Sequence, residues 1–304
     1  MGCADVVPGV SGGTVALILG IYVRLITAVS RADGELWSLC RRGRWQEAAE
    51  YIDLRFLVTL AAGIGVGIVG MSLVVNRLLT DATTRSYTLA MFFGMILASA
   101  VIVAKLIKAN SSSERTSAIL IGIAAALFAF YVSGLHHTAG GPPSRPWFFL
   151  SGAIGICAMI LPGISGAMIL LVLGVYEHLT EIPKNLLANQ QVFDSLVTLV
   201  VFASGCAMGL VFFSKILRWL LTKYHVLTMA VLCGFMIGAL RNLWPFQTDT
   251  TPEIEKFKHK LFELDWPAAD FRTVTVVAFA FIAMTGVFVV ERLAGSPRDR
   301  DKKD

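Results

Sequence analysis

Residues 8–25 read PGVSGGTVALILGIYVRL, and residues 162–179 read PGISGAMILLVLGVYEHL. At an offset of 154, nine of these eighteen positions are identical: Pro8/Pro162, Gly9/Gly163, Ser11/Ser165, Gly12/Gly166, Leu17/Leu171, Leu19/Leu173, Gly20/Gly174, Tyr22/Tyr176 and Leu25/Leu179. Cys3-Ala4 matches Cys157-Ala158 at the same offset. Apolar helices share leucines by composition alone. Composition does not reproduce a Pro-Gly-x-Ser-Gly core followed at a fixed distance by Gly-x-Tyr, so the chain reads as an internal duplication.

The surroundings of the two copies set the class. The 304 residues are 56% hydrophobic and 15% charged, with a mean hydropathy of +0.70. An ordinary soluble domain has about 45–50% apolar and about 25% charged residues. A soluble enzyme, a nucleic-acid-binding module and a disordered scaffold are excluded on that balance. The net charge of +5 fits cytoplasmic loops of a membrane protein, where Lys and Arg collect. Charge-free runs extend over Phe56–Asn76, Ser86–Ala104, Thr116–Leu135, Pro146–Tyr176, Ser195–Ser214, Val226–Leu240 and Thr273–Val290, with Val6–Val23 at the start. A helix needs about 20 apolar residues to cross the hydrocarbon core. After each motif come three such segments, near 56–76, 86–107 and 116–135, then near 195–219, 226–245 and 272–291. Gly94-Met95-Ile96 and Gly234-Phe235-Met236 occupy similar places in the two halves.

Proline removes a backbone donor and clashes with the preceding turn, and glycine weakens a helix further. A helix arriving over 147–161 should break at Leu161–Gly166, and a new one should run from there to about Thr180. Each arm is too short to cross. The arms form either a re-entrant hairpin or one broken span. Positive residues separate the two readings. With hairpins, one side receives sixteen Lys and Arg, from 30–55, 105–115, 215–224 and the tail, and the other receives nine. With single crossings the split is eleven against fourteen. The hairpin reading keeps the bias. The expected fold is therefore all-α and polytopic, an inverted-topology repeat in which each half is a re-entrant helical hairpin plus three transmembrane helices. Residues 1–140 form the first repeat, 141–294 the second, and 295–304 a charged cytoplasmic tail. An apolar arm leads into the second motif, whereas seven residues precede Pro8, so the first hairpin arm reads as truncated or its start as placed too late. Inverted repeats with broken helices at the midplane mark secondary transporters.

The broken segments carry the chemistry. Non-helical backbone at membrane depth lines a cavity or is buried in protein. Free amides at a helix start, the helix dipole and the Ser and Thr hydroxyls together suit a phosphate or carboxylate. Glycine lets the anion approach closely. The substrate-binding candidates are Pro8, Gly9, Ser11, Gly12, Gly13 and Thr14 at the first tip, and Pro162, Gly163, Ser165 and Gly166 at the second. Ala167 and Met168 replace Gly13 and Thr14, which makes the second tip the poorer one. A nucleotide P-loop is not indicated, since no Lys follows the glycines. Asp5, Arg24 and Arg241 are the candidate head-group or coupling charges; Asp5 suits proton coupling or an ion pair with Arg24 or Arg241. No Cys/His spacing fits a metal or disulfide framework, His136-His137 reads as a wet loop, and no cofactor is expected beyond a coupling proton or sodium ion.

Ala4-Asp5-Val6-Val7-Pro8-Gly9-Val10-Ser11-Gly12-Gly13-Thr14, the following Gly20-Ile21-Tyr22, the matching Leu161–Gly166 with Gly174-Val175-Tyr176, and Arg241-Asn242-Leu243-Trp244-Pro245 together resemble the bacterial and archaeal polyprenyl-phosphate transporter family. The resemblance covers nearly the whole chain. It implies an inner-membrane flippase with a cytoplasmic C-terminus that returns undecaprenyl phosphate from the outer to the cytoplasmic leaflet for cell-envelope glycan synthesis. The implied partners are a polyprenyl-phosphate lipid and the bilayer, with no nucleic acid. Undecaprenyl-diphosphate phosphatases carry a similar Pro-Gly-x-Ser motif, but theirs continues with Arg-Ser and is served by a glutamate-rich helix. Here Gly12-Gly13 and Gly166-Ala167 stand in those places, which suits binding and release rather than cleavage. A channel or a non-transporting membrane partner is the remaining alternative.

Overall fold

The computed structural model describes residues 1–5, 11–135, 143–189, 191–250, 262–268 and 270–293. A one-turn helix α1 (Gly2–Asp5) precedes the first motif, and α2 (Gly12–Ile18) and α3 (Tyr22–Ser30) follow it. Two short helices, α4 (Gly34–Arg41) and α5 (Trp45–Tyr51), lead into α6 (Leu54–Thr80), α7 (Ala82–Leu106) and α8 (Ser112–Val132). The second half runs through α9 (Arg145–Ile160), α10 (Gly166–Val172), α11 (Tyr176–Leu187), α12 (Val192–Lys223) and α13 (His225–Ala239). A 3₁₀ turn at Leu240–Leu243, an antiparallel hairpin of β1 (Gln247–Asp249) and β2 (Phe262–Leu264), and α14 (Phe271–Leu293) complete it. Among the described residues six helices, α6, α7, α8, α12, α13 with its 3₁₀ turn, and α14, are long and apolar enough to cross a membrane. They coincide with the six segments expected, three after each motif. The chain is an all-α multi-pass membrane protein with one small hairpin.

The motif copies fold alike. Adding 154 to Gly12–Ile18 gives Gly166–Val172, and Tyr22 maps onto Tyr176. Each first helix is closed by the same cap. Gly20 and Gly174 take φ of +71° and +73°, the left-handed region where only glycine is unstrained. The Gly20 amide then donates to the Leu17 carbonyl and Ile21 to Ala16, while Gly174 donates to Leu171 and Val175 to Leu170. This is the paired-bond Schellman termination. It corrects the expectation of one helix from the second motif to about Thr180. The helix stops at Val172, and α11 sets off at 110° to it. The segment 30–55, expected to be loop, holds α4 and α5; Asp33 caps α4 by accepting from the Glu35 and Leu36 amides.

The spans pair across the halves. α7 runs parallel to α14: Arg272 donates to Ser86 Oγ at 3.0 Å at one end, and Lys105 Nζ sits 5.3 Å over the Phe288 ring at the other. α8 runs parallel to α13, from Gly122 against Ala230 to Phe130 against Arg241. Both contacts are close because Gly94 and Gly234 sit in them. A Cβ on Gly94 would fall on the Ala280 carbonyl, and one on Gly234 on the Gly122 carbonyl. α7 and α13 are the most enclosed spans, whereas α6 and α14 present mostly exposed apolar side chains, such as Val66, Val69 and Leu73. That is the face a bilayer covers. Tyr22, Ile26, Leu79, Ile96, Leu217 and Met236 close the shared core beneath the motifs.

Candidate functional site: two interlocked helix breaks

Helix α9 ends at Ile160 because Pro162 cannot continue it. Its last carbonyls then lack intrahelical donors. The first motif supplies them. Ser11 Oγ donates to the Met159 carbonyl at 3.1 Å, and the Tyr22 hydroxyl donates to the Ile160 carbonyl at 3.3 Å. In the reverse direction the Gly163 amide donates to Thr14 Oγ1 at 3.1 Å. Ser11 and Thr14 are 2% and 1% exposed, so these bonds are made out of water, where an unpaired polar group costs about 1–3 kcal/mol. A Cβ on Gly13 would stand 2.5 Å from the Ile160 carbonyl oxygen, and one on Gly163 would stand 2.6 Å from that of Phe235. The glycines let the two breaks and α13 touch backbone to backbone.

The start of α2 is already occupied. The Gly12 amide donates to Asp5 Oδ1 at 2.6 Å, the Gly13 amide to Ser11 Oγ at 3.1 Å, and the Thr14 amide to the Ser11 carbonyl. A carboxylate therefore stands where the sequence placed a bound anion, which is the charge a helix start favours. The start of α10 differs. Ser165, half-buried, makes no capping bond, and the first amides of a helix have no intrahelical acceptor. Beside it, Asn242 Nδ2 reaches Met168 Sδ at 3.4 Å. Pro162 is buried at the break. Pro8 and Gly9 lie outside the described residues.

Arg24 and Arg241 are not brought to the breaks. Arg24 forms a two-pronged pair with Asp53 at 2.6 and 3.1 Å and lies over the Phe56 ring. That guanidinium holds the Asp53 carboxyl below the usual carboxylate range. Arg241 donates to the Phe130 carbonyl at 3.0 Å and covers that ring. Asp5 meets the Gly12 amide rather than either arginine. His136 and His137 lie outside the described residues, and among those described no group of three His, Cys, Asp or Glu could hold a metal. Three contributors went unread in the sequence. The Met159 and Ile160 carbonyls belong to residues of no chemical distinction, and Trp147, whose Nε1 donates to the Leu173 carbonyl at 2.9 Å, clasps α9 to the end of α10. Tyr22 carried a signal, its repetition as Tyr176.

Residues 1–260 match the family model described as "VCA0040-like: Undecaprenyl phosphate translocase-like". The chain belongs to this family. It is 37% identical over 249 residues, 81% of this chain and 75% of the relative, to a polyprenyl-phosphate transporter of Vibrio cholerae serotype O1. It is 29% identical over 256 residues, 81% of this chain and 83% of the relative, to a polyprenyl-phosphate transporter of Staphylococcus aureus. No solved structure matches the chain. The translocase-like family and its named members are transporters, not enzymes, which sets aside the phosphatase alternative.

Proposed function

We propose that this protein moves a polyprenyl phosphate, undecaprenyl phosphate or a close relative, from the outer to the cytoplasmic leaflet of the inner membrane by alternating access, returning the lipid carrier to cell-envelope glycan synthesis. The observation that carries the reading is the interlock of the two breaks: Ser11 on Met159, Tyr22 on Ile160 and Gly163 on Thr14. Two repeat-related helix breaks held together by a few hydrogen bonds are the kind of element that alternating access would rearrange.

The helix directions support an inverted relation. α7 and α8 are joined by a short turn and run oppositely, while α8 and α13 run together. The equivalent second spans α7 and α13 therefore point opposite ways. The excess of Lys and Arg at 30–55, 105–115, 215–224 and the tail supports a cytoplasmic C-terminus. The phosphate is read as taking the helix starts: at Ser165–Gly166 directly, and at Gly12–Thr14 by displacing the Asp5 carboxylate. Displacement frees Asp5 to take a proton, which makes proton coupling the favoured mode over sodium.

The test is leaflet transfer of labelled undecaprenyl phosphate by the purified chain in liposomes, with and without a proton or sodium gradient. Transfer above protein-free vesicles, accelerated by one gradient, is the expected outcome. No transfer under any gradient would sink the reading.

A further inference from the structure

Beside the breaks, on the opposite face of α13, lies a groove of about 930 Å³ between α8, α13 and the end of α7. Its floor is built from small residues, Ala118, Gly122 and Ala126 of α8 against Ala230, Gly234 and Gly238 of α13. The two helices touch there, since a Cβ on Gly122 would come within 3.3 Å of the Ala230 carbonyl oxygen. They leave one narrow furrow along their seam. From Arg115 to Phe130 it is about 22 Å long at about 1.5 Å per residue. At the end near the α7–α8 turn, Lys108 and Arg115 line it. Both are exposed, and neither has an acidic partner among the described residues. The nearby Glu114 carboxylate is turned to the Asn110 amide, at 2.7 Å. At the far end Arg241 lies on Phe130.

We infer that this groove binds one isoprenoid chain lengthwise, with its terminal phosphate on Lys108 and Arg115, and so is the site from which the lipid is released on that side of the membrane. The inference rests on the transport reading above. The volume lies at the upper end of the roughly 300–1,000 Å³ of ligand sites. A single furrow one helix seam wide matches one chain rather than two. Two cations at one mouth match a phosphate monoester of charge near −2 and not the uncharged alcohol. The wall shared with the breaks is α13, whose Phe235 and Met236 back onto Gly163. A chain in the groove thus lies one helix away from the tip that would hand over its head group.

The experiment is binding of photoreactive undecaprenyl phosphate to the full chain in nanodiscs, competed with undecaprenyl phosphate, undecaprenol or dioleoyl phosphatidic acid. Crosslinks should map to α8 and α13. Undecaprenol and phosphatidic acid should each compete at least tenfold more weakly than the phosphate. Lys108→Gln with Arg115→Gln should erase the preference for phosphate over alcohol. Ala126→Phe should weaken both prenyl ligands by about tenfold. The charge variants change exposed side chains and keep the test valid if Ala126→Phe does not fold. Labelling elsewhere, equal competition by phosphatidic acid, or unchanged preference in the charge variant would overturn the groove assignment. Leaflet transfer by the unaltered chain is measured in parallel. Transfer that persists without groove binding refutes the groove alone, and absent transfer refutes the transport reading whatever the groove does.

Discussion

At the residue scale, Thr14 is the sharpest probe of the interlock. Its hydroxyl is the acceptor for a buried amide from the other repeat. Thr14→Val keeps the shape and removes the acceptor, leaving the Gly163 amide unpaired at a cost of about 1–3 kcal/mol. The expected result is a lower melting temperature in detergent and slower leaflet transfer, with Thr14→Ser restoring most of both. Gly174→Ala should destabilise by about 1–2 kcal/mol, because alanine is strained at a φ of +73°; a chemical-denaturation midpoint reads this. The Arg24–Asp53 pair gives a pH dependence. Its partner depresses Asp53 in the folded state, so the pair contributes above the ordinary carboxylate value and is lost as pH falls through the depressed one. Wild type should therefore lose stability below about pH 4, more than Arg24→Gln does, in melts across pH 6 to 3. The sequence made Ser11 and Thr14 visible through their motif but not their partners, which lie about 150 residues away on main-chain carbonyls and an amide. Nothing in residue identity marks a carbonyl. Arg24 was legible as a charge at an apolar edge, yet its acceptor Asp53 lies beyond two helices in a segment expected to be loop.

At the element scale, the six spans were legible because a charge-free run long enough to cross has few other folds. The break at Pro162 was legible because proline ends a helix. The second break was not: a glycine inside an apolar run reads as tolerated until the backbone is seen to adopt positive φ. The helices α4 and α5 were missed because each is too short and too polar to show a period. Glycines on the spans divide into two kinds. Gly94 and Gly234 sit where helices meet, whereas Gly63 and Gly70 of α6 have nothing within 4 Å. Gly94→Leu should destabilise by about 1–3 kcal/mol or more, as overpacking does. Gly70→Leu should leave the melt unchanged or raise it slightly, since leucine is the better helix former.

At the scale of the whole molecule, the inverted arrangement predicts which turns share a side. Single cysteines at Ser112 and Thr222, in a background with the five native cysteines replaced, should label from the cytoplasm. Those at Thr83 and Thr248 should label from outside. Any one site on the wrong face removes the inverted relation. In the sequence the argument for this topology is the charge count, because the membrane sorts Lys and Arg by side. The pairing of the halves was not legible. It depends on which glycine meets which carbonyl across the chain.

That pairing has a consequence for biosynthesis. Among the described residues the last span of the first half, α8, packs in parallel mainly on α13, and the second span, α7, mainly on α14. During synthesis the first three spans enter the bilayer well before either partner has left the ribosome. The nascent first half therefore waits in the membrane with its glycine seams filled by lipid. Its second span is paired only once α14 arrives, so a chain halted before α14 leaves the Gly94 seam of α7 open.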